Sequence, residues 1–223
     1  MKRIALHITL LLALACSLAG TARTIRDFFA SEPDDVLLTL SRNSRLDMLD
    51  YWDSGQKVQQ STRLTTETGG ATLTAVTDNF ISLSTSGAST VEMMLVPASK
   101  SDTIIAVTQN YLIPEESGTI SFYDTKWRAI PREKVLRNLP TIADFAKQGT
   151  TKDDIAQIQQ LLPFYALSYH MNATDGTVTV RHNIAKMLTT STESSTDKQE
   201  LVQKMLLDSI TYQFKGKRLQ RKQ

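Results

Sequence analysis

The segments Thr72-Leu73-Thr74-Ala75-Val76 and Ile81-Ser82-Leu83-Ser84 alternate apolar residues with hydroxyl-bearing residues. A period of two places the apolar side chains on one face of a β-strand and the hydroxyls on the other. Two apolar runs follow, at 91–96 and 103–108, joined by residues 97–102, and a further strand at 119–123 follows a turn. These segments together predict an antiparallel β-meander of five or six strands.

Helical patterns are fewer than strand patterns. Ser44 precedes a helix at 45–52, in which Leu46, Leu49 and either Tyr51 or Trp52 fall on one side. A second helix is predicted to begin at Thr150 or Thr151 and to end at Leu162, before Pro163, and a third begins at Thr196. Predicted strands outnumber predicted helices, and strands that follow one another in the sequence are joined by short connections. The predicted class is therefore α+β, with antiparallel sheets and a few packed helices.

The second half contains a hairpin pattern. Leu167, Tyr169 and Met171 alternate with smaller residues, and a turn at 172–176 leads into Val178 and Val180. We expect Tyr169 to lie opposite Val178 and Leu167 opposite Val180, because this pairing places the apolar residues on one face. The same pairing places His170 on the opposite, solvated face and His182 near Tyr165 on the apolar face. A last strand at 210–214 turns back toward Leu219.

One short pattern occurs twice. Thr24-Ile25-Arg26-Asp27-Phe28 is echoed by Thr141-Ile142-Ala143-Asp144-Phe145, and Asp34-Asp35-Val36 by Asp153-Asp154-Ile155. The echo has two open explanations, a tandem duplication of a helix-plus-sheet unit or a chance match of short segments. The predicted organisation is a signal segment at 1–22, a first helix-plus-meander unit at 23–140, and a smaller helix-plus-sheet unit at 141–223.

The first 22 residues have the pattern of a secretory signal. Lys2 and Arg3 precede an apolar run at 4–19, which ends in the small residues Gly20-Thr21-Ala22. Two ways of processing this signal are possible: cleavage before Arg23, or cleavage after Ala15 followed by lipidation of Cys16. We therefore expect an exported protein, periplasmic or secreted, with a lipid-anchored envelope protein as the alternative.

Charge excludes one class of partner. The chain has 25 basic and 23 acidic residues, and Lys2 and Arg3 are the charged residues of the first 22, so the remainder is balanced. A neutral chain lacks the general attraction that nucleic acids exert on basic proteins, so no nucleic-acid partner is expected. Beyond residue 22, no apolar run approaches the length of a membrane span, and none is predicted. The basic residues at 215–222 are interpreted as a solvated chain end.

No pattern in the sequence predicts a catalytic, cofactor or metal site. His170 and His182 fall on opposite faces of the predicted hairpin and would not converge on a metal. Asp47, Asp50 and Asp53 lack the surroundings of a calcium loop. The sequence contains neither a Gly-x-Ser-x-Gly elbow nor a phosphate-binding glycine loop.

Two functions of different classes are compatible with this sequence. The first is a non-catalytic module that binds an envelope protein or a glycan, with Trp52, Tyr111 and Trp127 as candidate partner-surface residues. Core packing is the default role of each of these aromatic residues, and the partner surface is the alternative. The second function is a hydrolase acting on envelope or dietary polymers. Its candidate catalytic acids are Asp47, Asp50 and Asp78.

Several stretches carry a family resemblance. Residues 43–51 and 73–78, Pro114-Glu115-Glu116-Ser117, Phe122-Tyr123 with Trp127, and residues 212–219 resemble a family of exported Bacteroides-type proteins classified as domain of unknown function 3256. The likeness covers nearly the whole chain after the signal, although an aromatic residue would be expected at Leu219. It implies export and a bacterial envelope setting, and brings no catalytic residues. The arrangement of helices and meanders also resembles the fold of β-lactamase-inhibitor proteins.

The resemblance also implies a modification. Bacteria of this type O-glycosylate exported proteins at Asp followed by Ser or Thr and an aliphatic residue. Asp102-Thr103-Ile104 and Asp208-Ser209-Ile210 match that pattern, so Thr103 and Ser209 are candidate O-glycosylation sites.

Overall fold

The structure is a computed structural model that describes residues 23–37, 40–55, 70–99, 102–112, 115–161, 165–190 and 196–222. The predicted signal at 1–22, including Cys16, lies outside the described residues. So do Leu162 and Pro163, the predicted end of the second helix.

The first sheet confirms the predicted meander and contains six strands. They are β1 (Thr72–Val76), β2 (Phe80–Ser86), β3 (Ser89–Ser99), β4 (Asp102–Tyr111), β5 (Ser117–Asp124) and β6 (Ala129–Ile130). The strands lie side by side in chain order, and every neighbouring pair is antiparallel. β3 continues through Pro97, which was expected in the connection and instead lies opposite Thr103.

The second sheet contains four antiparallel strands. They are β7 (Leu167–Asn172), β8 (Thr177–His182), β9 (Ser209–Lys215) and β10 (Arg218–Arg221), in the order β10-β9-β8-β7. The predicted hairpin register was wrong by two residues: Tyr169 lies opposite Val180, and Leu167 opposite His182. The turn explains the difference, because Asn172 Oδ1 accepts from the Thr174 amide and Asp175 accepts from Thr177, which keeps positions 172 and 177 paired. A shift of two preserves the faces, so the apolar face was predicted correctly.

Helices and one 3₁₀ helix flank the sheets. They are α1 (Ile25–Ala30), α2 (Arg42–Asp53), α3 (Arg132–Val135), the 3₁₀ helix (Ile142–Phe145), α4 (Lys152–Leu161), α5 (Ile184–Thr190) and α6 (Thr196–Met205). The mixture of antiparallel sheets and helices confirms the α+β class. The sequence analysis did not predict α5, but it did predict the start of α6 at Thr196.

α2 differs from its prediction in both start and buried face. Ser41, not Ser44, is the N-cap, because its hydroxyl accepts a hydrogen bond from the Ser44 amide at 3.2 Å. The buried face contains Arg45 and Met48 together with Leu49, whereas Leu46 is 38% exposed.

The first pair of echoed segments has the same start. Thr24 and Asp27 form a capping box at the start of α1, and Thr141 and Asp144 form one at the start of the 3₁₀ helix. In both, the Asp carboxylate accepts from the Thr backbone amide at 2.7 Å. The second pair differs in structure, because residues 34–36 form a turn whereas residues 153–155 lie in α4. The echo is therefore shared only at the helix starts, and the tandem duplication stays a prediction.

Two apolar cores use the two faces of the first sheet. One face packs against α1 and α2 through residues such as Leu83, Met93 and Val107. The other face carries Met94 and Phe122 and shares a core with the second sheet and its helices. This second core includes residues from both sides of position 140.

Side chains of the first sheet complete the edge of the second. The Asn110 carboxamide accepts from the Tyr169 amide at 3.0 Å and donates to the Tyr169 carbonyl at 2.8 Å. The half-buried Glu92 carboxylate accepts from the Met171 amide at 2.6 Å. Because β7 is an edge strand, its outward backbone groups need partners, and these two side chains supply them. We call this set of contacts the inter-sheet joint.

Candidate functional site

One face of the first sheet changes from apolar to polar along its strands. Residues that pair across strands share a face, so successive rows can be compared. The row formed by Ile81, Met93 and Val107 is apolar and buried. The next row on the same face ends in Gln109, and the row after that contains Ser89 and Tyr111. The polar end of the face therefore stays open.

A cleft of about 370 Å³ lies at this open end. We call it the Tyr111 cleft. Its lining comprises Asp35, Val36, Leu37, Thr85, Ser89, Thr90, Val91, Gln109, Asn110, Tyr111 and Tyr123. Tyr111 is 53% exposed and the adjacent Leu112 is 41% exposed, so an aromatic ring and an aliphatic side chain face the solvent here.

Hydrogen bonds fix the walls of the Tyr111 cleft. On one side, the Thr85 and Ser89 hydroxyls lie 2.6 Å apart. On the other, Gln109 Nε2 donates to the Val36 carbonyl at 3.2 Å and ties the 35–37 segment to the sheet. The cleft thus presents hydroxyl, amide and carboxylate groups on a supported frame.

Arg45 supports the segment that forms this wall. Its guanidinium is fully buried and donates to the carbonyls of Glu32 and Leu40 and to Asp34 Oδ1. A buried arginine needs such acceptors, because an unpaired buried charge is costly. The Arg45 side chain therefore links α2 to the loop beside the cleft.

Burial controls the ionisation of two groups near this wall. Burial raises the pKa of Glu32 from 4.5 to about 8, and the Arg45 charge only partly opposes it. Burial also raises the pKa of Tyr123, with the Glu32 and Asp35 charges adding to the effect. Glu32 is therefore predominantly a neutral carboxylic acid at pH 7.

A second cleft, of about 490 Å³, lies beside the second sheet. We call it the Arg181 cleft. Its lining comprises Glu116, Ser168, Arg181, His182, Asn183, Ala185, Lys186, Asp208 and Ser209. Arg181 lies on the central strand β8, directly opposite Ser168 on β7 and Ser209 on β9. The cleft is therefore mixed in charge and rich in polar groups.

His170 has a carboxylate partner. It lies on the face opposite the apolar residues, as predicted, but it is not simply solvated: its Nε2 atom is 2.8 Å from Glu116 Oε1. The same Nε2 atom is 3.3 Å from the Ser168 hydroxyl. A catalytic triad needs the hydroxyl on one ring nitrogen and the acid on the other. Since both partners share Nε2, this cluster does not have the triad arrangement.

His182 packs at the edge of the apolar core. Its ring lies edge-on to Phe145, with 4.8 Å between ring centroids, and Nε2 is 3.0 Å from the Leu207 carbonyl. Burial lowers the pKa of His182. Within the described part of the chain, no three His, Cys, Asp or Glu residues come together as metal ligands.

The three aromatic candidates do not form one surface. Only Tyr111 lines the cleft that carries its name. Trp127 is half-buried and packs on Tyr123, with 5.4 Å between centroids, in a turn where its φ is 60°. Trp52 is 38% exposed on α2.

The remaining candidates lie apart. Asp47 and Asp50 are exposed on α2, and Asp78 is exposed in the turn between β1 and β2. Thr103 is half-buried in β4, and Ser209 is half-buried in β9 at the Arg181 cleft. None of the three acids lines either described cleft.

The cleft residues themselves were missed in the sequence. Gln109 and Ser89 interrupt otherwise apolar positions of β4 and β3, and that loss of apolar character is the signal that would have located the open face. Arg181 carries no comparable signal, because its neighbours Ser168 and Ser209 are set by strand pairing.

Fold and clefts together define a class: an α+β protein with two antiparallel meanders and open polar clefts. Among the helices of the described residues, none is long and apolar enough to cross a bilayer. The chain belongs to the family described as protein of unknown function (DUF3256), whose model matches residues 17–219. This match confirms the resemblance to domain of unknown function 3256, while export stays a prediction.

A solved structure shows the same fold. It is a domain of an uncharacterized protein from Porphyromonas gingivalis W83, with 22% identity and a TM-score of 0.72. The match covers 89% of this chain and 97% of that one. Comparison with curated proteins finds no match.

Proposed function

We propose that this protein is a non-catalytic binding module of the bacterial envelope and that the Tyr111 cleft binds a carbohydrate. The exposed Tyr111 ring at the rim of a hydroxyl-, amide- and carboxylate-lined cleft is the observation that carries the proposal.

The chemistry of the lining favours a sugar. A sugar ring has an apolar C–H face that packs on an aromatic side chain, while its hydroxyls need both donors and acceptors. Tyr111 supplies the ring surface, and Asp35, Gln109 and Ser89 supply acceptors and donors. A few polar groups placed around an apolar surface are typical of small-molecule sites.

The acids of the Tyr111 cleft favour binding over hydrolysis, because Asp35 is the one carboxylate among its described lining residues. Hydrolysis of a glycosidic bond needs two carboxyl groups facing the scissile bond. The hydrolase hypothesis named Asp47, Asp50 and Asp78, which lie outside both clefts. The Ser168 hydroxyl and Glu116 share one nitrogen of His170, which does not fit nucleophilic catalysis either.

The envelope setting rests on the signal pattern at 1–22. The basic start, apolar run and small-residue exit support export to the periplasm or the medium, with a lipid anchor at Cys16 as the alternative.

A glycan array carrying neutral and acidic oligosaccharides tests the proposal, followed by calorimetry with the best binder. Tyr111→Ala should weaken binding at least about tenfold, because exposed aromatic anchors contribute 1.4 kcal/mol or more. Tyr111→Phe should retain most of the affinity, and Trp52→Ala serves as the matched aromatic control. Unchanged binding by Tyr111→Ala would refute the placement of the site.

A further inference from the structure

The Arg181 side chain has no partner among the residues that the structure describes. Its side chain is exposed on the outer face of the second sheet, between Ser168 and Ser209. Within the part of the chain that the structure describes, it makes no hydrogen bond or ion pair. Arginine provides five donors in a planar fork that matches a carboxylate. Its guanidinium is therefore available to an anionic ligand.

The acids around Arg181 restrict the kind of anion. Glu116 is paired with His170, but Asp208 is an exposed carboxylate that lines the same cleft. A compact, highly charged anion would be repelled by these carboxylates. A ligand with one carboxylate and several hydroxyls avoids that repulsion, because its hydroxyls donate to Asp208 while its carboxylate pairs with Arg181.

We infer that the Arg181 cleft binds a uronic-acid unit of an acidic glycan. The sugar carboxylate pairs with the Arg181 guanidinium. The ring hydroxyls bond to Asp208 and to the half-buried Ser209 hydroxyl. The cleft volume of about 490 Å³ lies within the range of small-molecule sites. This inference shares the carbohydrate class of ligand with the proposed function but rests on a different cleft, on the other sheet.

Calorimetry with trigalacturonate tests the inference. Wild type should bind it, and Arg181→Gln should weaken binding at least about tenfold, since a charge-assisted bidentate contact is lost. Arg137→Gln is the matched control: Arg137 is also an exposed arginine, and it lines neither cleft, so binding should not change. Galactotriose, the neutral counterpart, should bind this cleft at least tenfold more weakly.

Three outcomes would overturn the inference. Inorganic phosphate that competes with trigalacturonate at equal concentration would show a general anion site. Absence of trigalacturonate binding to wild type would show that the cleft does not take this class of ligand. Loss of trigalacturonate binding in Tyr111→Ala with no change in Arg181→Gln would place the acidic sugar in the Tyr111 cleft, which overturns the inference while supporting the proposed function. Loss in Arg181→Gln alone supports the inference even if Tyr111→Ala has no effect on any glycan.

Discussion

Replacing Gly118 by alanine should disrupt the inter-sheet joint. A Cβ atom at position 118 would lie 2.1 Å from Asn110 Oδ1 and 2.7 Å from the Gln109 carbonyl. The 2.1 Å contact can be relieved only if the Asn110 side chain leaves its place. The Gln109 carbonyl belongs to the β4 backbone and cannot move aside as easily. The Tyr169 amide and carbonyl then lose their partners in a residue that is only 3% exposed.

The size of the effect follows from those two groups. Leaving a buried donor or acceptor unsatisfied costs about 1–3 kcal/mol. Two such groups predict a loss of about 2–6 kcal/mol, a large share of the 5–15 kcal/mol that stabilises a typical domain.

Denaturant unfolding and amide exchange measure this effect. Gly87→Ala is the matched control, because a Cβ there meets nothing within 4 Å. Gly118→Ala should lower the free energy of unfolding, and the Tyr169 and Met171 amides should lose exchange protection. If Gly118→Ala matches Gly87→Ala in stability and both amides stay protected, the reasoning about the joint is wrong.

Three further predictions concern ionisation, the histidines and export. Because the folded pKa of Glu32 is raised from 4.5 to about 8, its contribution to stability is complete below pH 4.5 and is lost as pH rises through 8. At about 1.4 kcal/mol per pKa unit, that loss of stability is at most about 5 kcal/mol. When the free energy of unfolding is measured as a function of pH, the Glu32→Gln variant should not show this loss. His170→Ala and His182→Ala should leave ligand binding in the Tyr111 cleft intact by calorimetry, because neither histidine lines it, with a modest loss of stability for His182→Ala; abolished binding in a folded variant would contradict the placement of both histidines outside the site. Mass spectrometry of exported protein should find an N-terminus at Arg23, and an acylated N-terminal Cys16 would contradict that cut.

The sequence predicted the sheets better than it predicted their contacts. Period-two alternation identifies which side chains share a face, so the meander and the apolar face of the hairpin were predicted correctly. It does not fix register, which in the hairpin depends on side-chain hydrogen bonds from Asn172 and Asp175. The hairpin prediction was therefore two residues out without changing any face.

Long-range partners explain the other misses. Leu46 was predicted to face inward on apolar spacing alone. Arg45 is buried instead, because its guanidinium N–H groups donate hydrogen bonds to the carbonyls of Glu32 and Leu40. Likewise, the partner of His170 is Glu116, which lies in the loop just before β5 of the first sheet. Such contacts depend on how distant segments meet, and a local pattern carries no information about them.

Chemical-shift mapping with isotope-labelled protein locates the carbohydrate site residue by residue. On titration with the best-binding oligosaccharide, shift changes should concentrate at Thr85, Ser89, Gln109 and Tyr111 and should be lost in Tyr111→Ala. Shift changes centred away from the Tyr111 cleft, or saturable binding that persists unchanged in Tyr111→Ala, would contradict this placement of the site.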